Sequence, residues 1–338
     1  MTKKNKIVLV IMLMVGLVIF YFSVKQISYH SLMDAIAHLH WSWLVVAFLL
    51  MASSLLLEAR VVQVLIRQQL PTYSFWAALR VPLVEQLFNG ITPFATGGQP
   101  AQLVALLQSG VDAGRATSSL LMKFIVYQAM IVVNFIICLA LGFQYVADRI
   151  HGMIWLLVFG FIIHFAVIVS LLMIMFWYRL TKKLLKLMML VLKKVMTNPN
   201  RYKQLEQTLN EKVDSFYQES LKLKANKQVL VRISCLTLFQ LLIYYVIPYF
   251  ILLALGVTNA NILLVTTLHV LIVMVISLFP IPGGAGGAEY SFSVVFSTFV
   301  QQGNRLVVAM FLWRIITYYL GMFSGIIALA FEPKKTSK

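Results

Sequence analysis

Long apolar blocks, separated by short polar or basic stretches, run the length of this 338-residue chain. Blocks long enough to cross a hydrocarbon core of ~30 Å fall at about 7–24, 41–57, 120–143, 153–177, 231–255, 262–279 and 305–329. Two further regions are apolar but broken. One, about 75–107, carries Asn89, Pro93, Gly97, Gly98 and Pro100; the other, 280–304, opens with Pro280-Ile281-Pro282-Gly283-Gly284. The pattern predicts an all-α polytopic membrane protein with about seven full spans and two Gly/Pro-broken re-entrant hairpins. Trp41 and Trp43 open one span, and Trp155 and Trp177 bracket another, as interfacial aromatics do.

Counting spans gives a topology. The stretch 179–232 holds 13 of the 28 Lys and Arg residues, which places it in the cytoplasm, with the Lys-rich N-terminus and Lys334, Lys335 and Lys338 on the same side. Segment 59–119 then begins and ends inside, while 256–304 begins and ends outside, so each must dip into the membrane and return. Matched interruptions entering from opposite faces are the pattern of an inverted repeat, and they point to a transporter's substrate site. The whole chain reads as a single transmembrane domain, with 179–230 a basic amphipathic helical loop inside it. In that loop Leu180, Leu184, Leu187, Val191 and Val195 recur at helical spacing. Asn198-Pro199-Asn200 ends this helix, and a second follows with Tyr202, Leu205, Leu209 and Val213 on its apolar side.

Composition agrees. The chain is 61% hydrophobic and 12% charged, with mean hydropathy +0.87, too little charge to cover a soluble surface. Its net charge of +17 sits between apolar blocks and at the ends, where it faces anionic lipid. Nucleic acid is therefore excluded as a partner. Cys138 and Cys235 each lie inside an apolar run and read as small core residues. Lys3, Lys4 and Lys6 before Ile7–Val24 resemble a signal peptide, but Tyr21-Phe22-Ser23-Val24-Lys25 offers no small-x-small cleavage site, so an uncleaved first span is expected.

The candidate chemistry sits in the two breaks. In Glu85 through Pro100, irregular backbone at membrane depth leaves N–H and C=O groups that only protein or a wet cavity can satisfy. A helix N-terminus near Pro100 would suit a phosphate. In Phe279 through Glu289 the prolines stop a helix, and the glycines allow close backbone approach. Glu289 stands near the start of the returning helix, placed either to cap it or to hold a cationic group. Arg80, Glu85, Lys123 and Arg314 are ionisable residues in or near apolar runs, where a partner or a role is the default expectation. For Lys123, snorkelling to the interface is the alternative. The candidate substrate-binding set is therefore Arg80, Glu85, Asn89, Pro93, Gly97, Gly98, Pro282, Gly283, Gly284, Glu289 and Arg314. Gly321 and Gly325 form a G-x-x-x-G suited to close helix packing, within the chain or in a homodimer. No phosphate-loop or dinucleotide spacing accompanies the glycines. His38 and His40 are spaced wrongly for a metal, and His164 and His269 stand alone in apolar spans. No catalytic residue, metal or cofactor is expected.

Asn89-x-x-x-Pro93-x-x-x-Gly97-Gly98-x-Pro100 and Pro280-x-Pro282-Gly283-Gly284-x-Gly286-x-x-Glu289 resemble the signatures of the lysylphosphatidylglycerol synthase transmembrane family. That family includes the membrane half of the bacterial multiple peptide resistance factor. The resemblance extends over nearly the whole chain in the order and spacing of spans. It implies a flippase-like domain in a bacterial plasma membrane, with both termini cytoplasmic. Its cargo would be an anionic or aminoacylated phospholipid such as lysyl-phosphatidylglycerol, moved between leaflets in connection with resistance to cationic antimicrobial peptides. In full-length relatives a soluble synthase domain follows; here the chain ends at Lys338, so a separate aminoacyl-lipid synthase is an implied partner. The alternatives are a lysyl-tRNA-dependent phosphatidylglycerol lysyltransferase, as the family name suggests, and a non-transporting partner of such a synthase.

Overall fold

The computed structural model describes residues 37–68, 70–149, 154–195, 198–300 and 303–331. The predicted span 7–24, the N-terminal lysines and Lys334, Lys335 and Lys338 lie outside these. Among the described residues the chain is helical, without strands. In order, the helices are α1 (Trp41–Arg67), α2 (Phe75–Ile91), α3 (Gly98–Gln108), α4 (Ala113–Arg149), α5 (Ile154–Phe176) and α6 (Tyr178–Val195). They continue with α7 (Pro199–Ala225), α8 (Lys227–Ala254), α9 (Ile262–Ile276), α10 (Gly287–Phe296), α11 (Gly303–Arg314) and α12 (Leu320–Ala330). A π-turn, Ile315–Tyr319, joins α11 to α12.

Among the described residues, four helical stretches are long and apolar enough to span a membrane: Trp41–Arg67, Ala113–Cys138, Lys227–Ala254 and Asn304–Ala330. The predicted span 153–177 forms α5, 23 residues long. The predicted full span 262–279 does not form. Its helix, α9, has 15 residues, about 23 Å at 1.5 Å per residue, short of the core thickness. Pro280 and Pro282 stop it, since proline lacks the N–H that a continuing helix requires. α9 is instead the first arm of the second broken hairpin, and α10 is the return arm.

α1 and α8 pack along one another and are antiparallel. His40 N donates to Ala254 O (2.8 Å) at one end, and Asn226 Nδ2 donates to Gln68 Oε1 (3.2 Å) at the other. This pair orients both hairpins. α2 starts a few residues after α1 finishes, at the Gln68 end. α9 starts a few residues after α8 finishes, at the Ala254 end. The hairpins therefore enter from opposite ends of the bundle. α9 lies at its centre, with Val265, Leu268, Ile272 and Val275 at 0% exposure, packed against α4, α8 and α10.

α6 turns 116° from the end of α5. Leu180, Leu184 and Leu187 remain exposed, as expected of a helix lying on a bilayer. α7 is tied to it: Lys182 Nζ meets Asp214 Oδ1 (2.6 Å), Tyr178 Oη donates to the same oxygen (2.6 Å), and the Tyr178 and Tyr217 rings stack. These hydrogen bonds from Lys182 and Tyr178 hold the Asp214 carboxyl below its ordinary range.

Candidate functional site

Both hairpins turn in the same way. Thr92 is extended, Pro93 opens a single tight turn, and Phe94 and Ala95 adopt left-handed backbone (φ 52° and 53°). Ile281 is extended, Pro282 opens the equivalent turn, and Gly283 and Gly284 follow at φ 64° and 61°. After each turn come two glycines, Gly97-Gly98 and Gly286-Gly287, and then the return helix. Glycine makes the left-handed pair free of Cβ strain in the second break; in the first, two L side chains bear it.

The first break is braced by side chains. Thr92 Oγ1 donates to Phe88 O (2.6 Å) and accepts from Gly97 N (2.9 Å). A Cβ on Gly98 would stand 2.1 Å from Asn89 Oδ1, so the missing side chain makes room for this amide. Phe94 is 56% exposed, and Pro93, Ala95 and Thr96 are exposed beside it.

The second break is braced by charge. Arg314 directs Nε and Nη2 to Glu289 Oε1 (2.8 Å each) and Nη1 to Gly283 O (2.8 Å). The rings of Trp313 and Tyr318 lie 5.4 and 5.2 Å from its guanidinium carbon. Glu289 Oε2 accepts from Gly286 N (2.7 Å), capping α10. Capping and cation binding, alternatives in the sequence, are both present, and the cation is the chain's own Arg314.

The two turns pack against each other, and Tyr318 is the link. Its Oη donates to Gly90 O (2.9 Å), and a Cβ on Gly283 would strike its ring at 2.5 Å. The π-turn Ile315–Tyr319 carries Tyr318 to this position.

Before the first break on α2 lies a second buried charge cluster. Lys123 Nζ contacts Glu58 Oε1 (2.5 Å), Glu85 Oε2 (2.7 Å) and Gln102 Oε1 (2.9 Å), one acceptor for each ammonium hydrogen. With its side chain 7% exposed, Lys123 does not snorkel. Glu58 and Gln102 were not among the predicted site residues, because one sequence cannot show which polar groups meet across α1, α3 and α4. The signal available for Glu58 was a lone carboxylate ending an apolar run.

Arg80 stands apart from both breaks. It lies ten residues before Gly90 on α2, about 15 Å along the axis, and donates to Ala328 O (3.0 Å) and Gln108 Oε1 (2.8 Å) at the Gln68 end of the bundle. His269 is not alone: Trp313 Nε1 donates to its Nε2 (3.0 Å), so its Nδ1 carries the hydrogen shared with Tyr245 O (3.1 Å). Gly321 and Gly325 face α2. A Cβ on Gly325 would lie 2.3 Å from Leu83 O, so this G-x-x-x-G packs within the chain.

Residues 7–325 match the family described as "Lysylphosphatidylglycerol synthase TM region". The chain belongs to this family. It is also similar to a UPF0104 membrane protein of Archaeoglobus fulgidus, 28% identical over 318 residues that cover 90% of each chain. The matched residues run through both breaks. The archaeal relative has a similar length, so the likeness extends over the bundle and not over one motif.

Proposed function

We propose that this family member moves a phospholipid between leaflets, its headgroup passing along the paired breaks while the acyl chains stay in the bilayer. One observation carries the proposal: two Gly/Pro turns, entering from opposite ends, meet inside an apolar bundle. Irregular backbone in hydrocarbon is tolerated only beside protein or water, and residues Pro93–Thr96 at the tip of the first break are exposed. Arg314, Glu289, Asn89 and the glycine backbones at Gly97, Gly98, Gly283 and Gly284 are the proposed headgroup contacts. Arg314 would exchange its internal carbonyl and carboxylate for lipid phosphate, which has the oxygen geometry a guanidinium prefers. Arg80, outside the breaks, would meet headgroups at the bundle end. An anionic or aminoacylated phospholipid in a bacterial plasma membrane, with both termini cytoplasmic, is the proposed setting. A homodimer and a separate aminoacyl-lipid synthase are the proposed partners.

The test is reconstitution of the full chain into vesicles holding a fluorescent phospholipid, followed by a membrane-impermeant quencher. Nearly complete quenching is expected; quenching confined to the outer-leaflet share overturns lipid movement. New aminoacyl-lipid from added lysyl-tRNA in the same vesicles would instead favour transferase chemistry.

A further inference from the structure

The cluster around Lys123 does not balance. One ammonium faces two carboxylates, Glu58 and Glu85, whose side chains are 8% and 13% exposed. With both ionised, a full negative charge remains in an apolar interior, an arrangement strongly disfavoured in the absence of a second cation. None is at hand among the described neighbours. α1 contributes Glu58, while its Arg60 bonds Gln63 and its Arg67 bonds Tyr73 O. α2 contributes Glu85, and its Arg80 is bound to Ala328 O and Gln108. α3 brings Gln102 and no charged residue. α4 brings Lys123 and Tyr127, with Arg115 exposed; α8 brings Tyr244 and Tyr245 within reach of Tyr127, with Arg232 exposed. α12 has no titratable group.

We propose that Glu58, Glu85 and Lys123 form a proton-binding site, in which Glu85 is the carboxylate that takes and releases the proton. Glu58 makes the shorter contact to Lys123 and is the more buried of the two, so it is the fixed counterion. Glu85 is more exposed and lies one turn before Asn89, on the arm that leads into the first break. Gln102 supplies the complementary group. Its Oε1 accepts from Lys123, which leaves its Nε2 in the interior with no partner. A buried donor of that kind is rare and calls for an acceptor. When the proton leaves Glu85, the new negative charge can draw on this unused N–H. The O–H bond of Glu85 breaks, the proton passes to water, and the carboxylate keeps the electron pair.

The proposal stands on charge balance and not on lipid movement, so its test reads the carboxyl itself. Full-length protein in lipid nanodiscs is titrated by difference infrared spectroscopy from about pH 5 to 9. A protonated-carboxyl C=O band is expected that declines as pH rises and shifts in D2O. Glu85→Gln should remove that band while Glu289→Gln leaves it. Glu85→Gln keeps one cation against one carboxylate and is expected to fold. Should it not, Glu58→Gln makes the same one-to-one balance and should abolish the band equally. Absence of the band from the unaltered protein, or its persistence in the folded variant used, overturns the proposal. Vesicle quenching can succeed or fail without changing this result.

Discussion

At the scale of single residues, Phe94 and Ala95 hold the least comfortable backbone of the described chain. They adopt the conformation that Gly283 and Gly284 adopt at the same place in the other hairpin. A left-handed L residue costs about 1–2 kcal/mol, so Ala95→Gly should raise stability by about 1 kcal/mol, read as a higher midpoint of thermal unfolding in detergent. Ala95→Val should lower it, because β-branching sharpens the clash. Equal midpoints for the two variants would remove the strain argument. Arg314 makes the opposite case. Arg314→Met strands Glu289, and removing one member of a buried pair costs about 3–5 kcal/mol. With the Glu289 side chain 26% exposed, about 2 kcal/mol is the expected loss. Adding Glu289→Gln should recover part of it, and a double-mutant cycle measures the coupling. The doubly altered protein should still move lipid more slowly, since the cation proposed to meet phosphate is gone.

At the scale of elements, α12 lies close against the backbone of α2. A side chain at Gly325 would enter the space of Leu83 O and of Leu87 Cβ, 2.6 Å away. Gly325→Val should therefore separate the last span from the first hairpin and lower thermal stability by about 2 kcal/mol or more. Unchanged stability would mean that the two helices are not held this closely. Tyr318→Phe is milder. It deletes the hydrogen bond to Gly90 O and keeps the ring, so a loss of about 1 kcal/mol is expected. Away from the bundle, Asp214→Asn removes the charge that Lys182 pairs with. Faster amide hydrogen exchange is expected in α7, with the exchange of α1 and α8 unaltered.

At the scale of the whole molecule, the antiparallel α1–α8 pair fixes the direction from which each hairpin enters. Thr72 lies in the exposed link before α2, and Thr258 in the exposed link before α9. In a background with Cys138 and Cys235 replaced by serine, Thr72→Cys and Thr258→Cys should react with a membrane-impermeant thiol reagent from opposite sides of sealed vesicles. Labelling from the same side would end the inverted-hairpin architecture, and with it the proposed headgroup route along the paired breaks.

Much of this was legible in the chain. Apolar length determined that the protein crosses a membrane, since about 20 apolar residues in helix reach across hydrocarbon. The basic loop and span parity gave the expectation that 59–119 and 256–304 each begin and end on one side, and proline and glycine marked where their helices stop. Only the tertiary structure decided that 262–279 is a hairpin arm, that the two turns touch through Tyr318, and that Arg314 spends its hydrogen bonds on Glu289 and Gly283. It also decided that Lys123 faces two carboxylates, Glu58 being 65 positions away and Glu85 38. Periodicity and hydrophobic length act between near neighbours on one helix, so a sequence displays them directly. Charge pairing depends on which helix faces meet, and that is set by side-chain packing across the whole bundle.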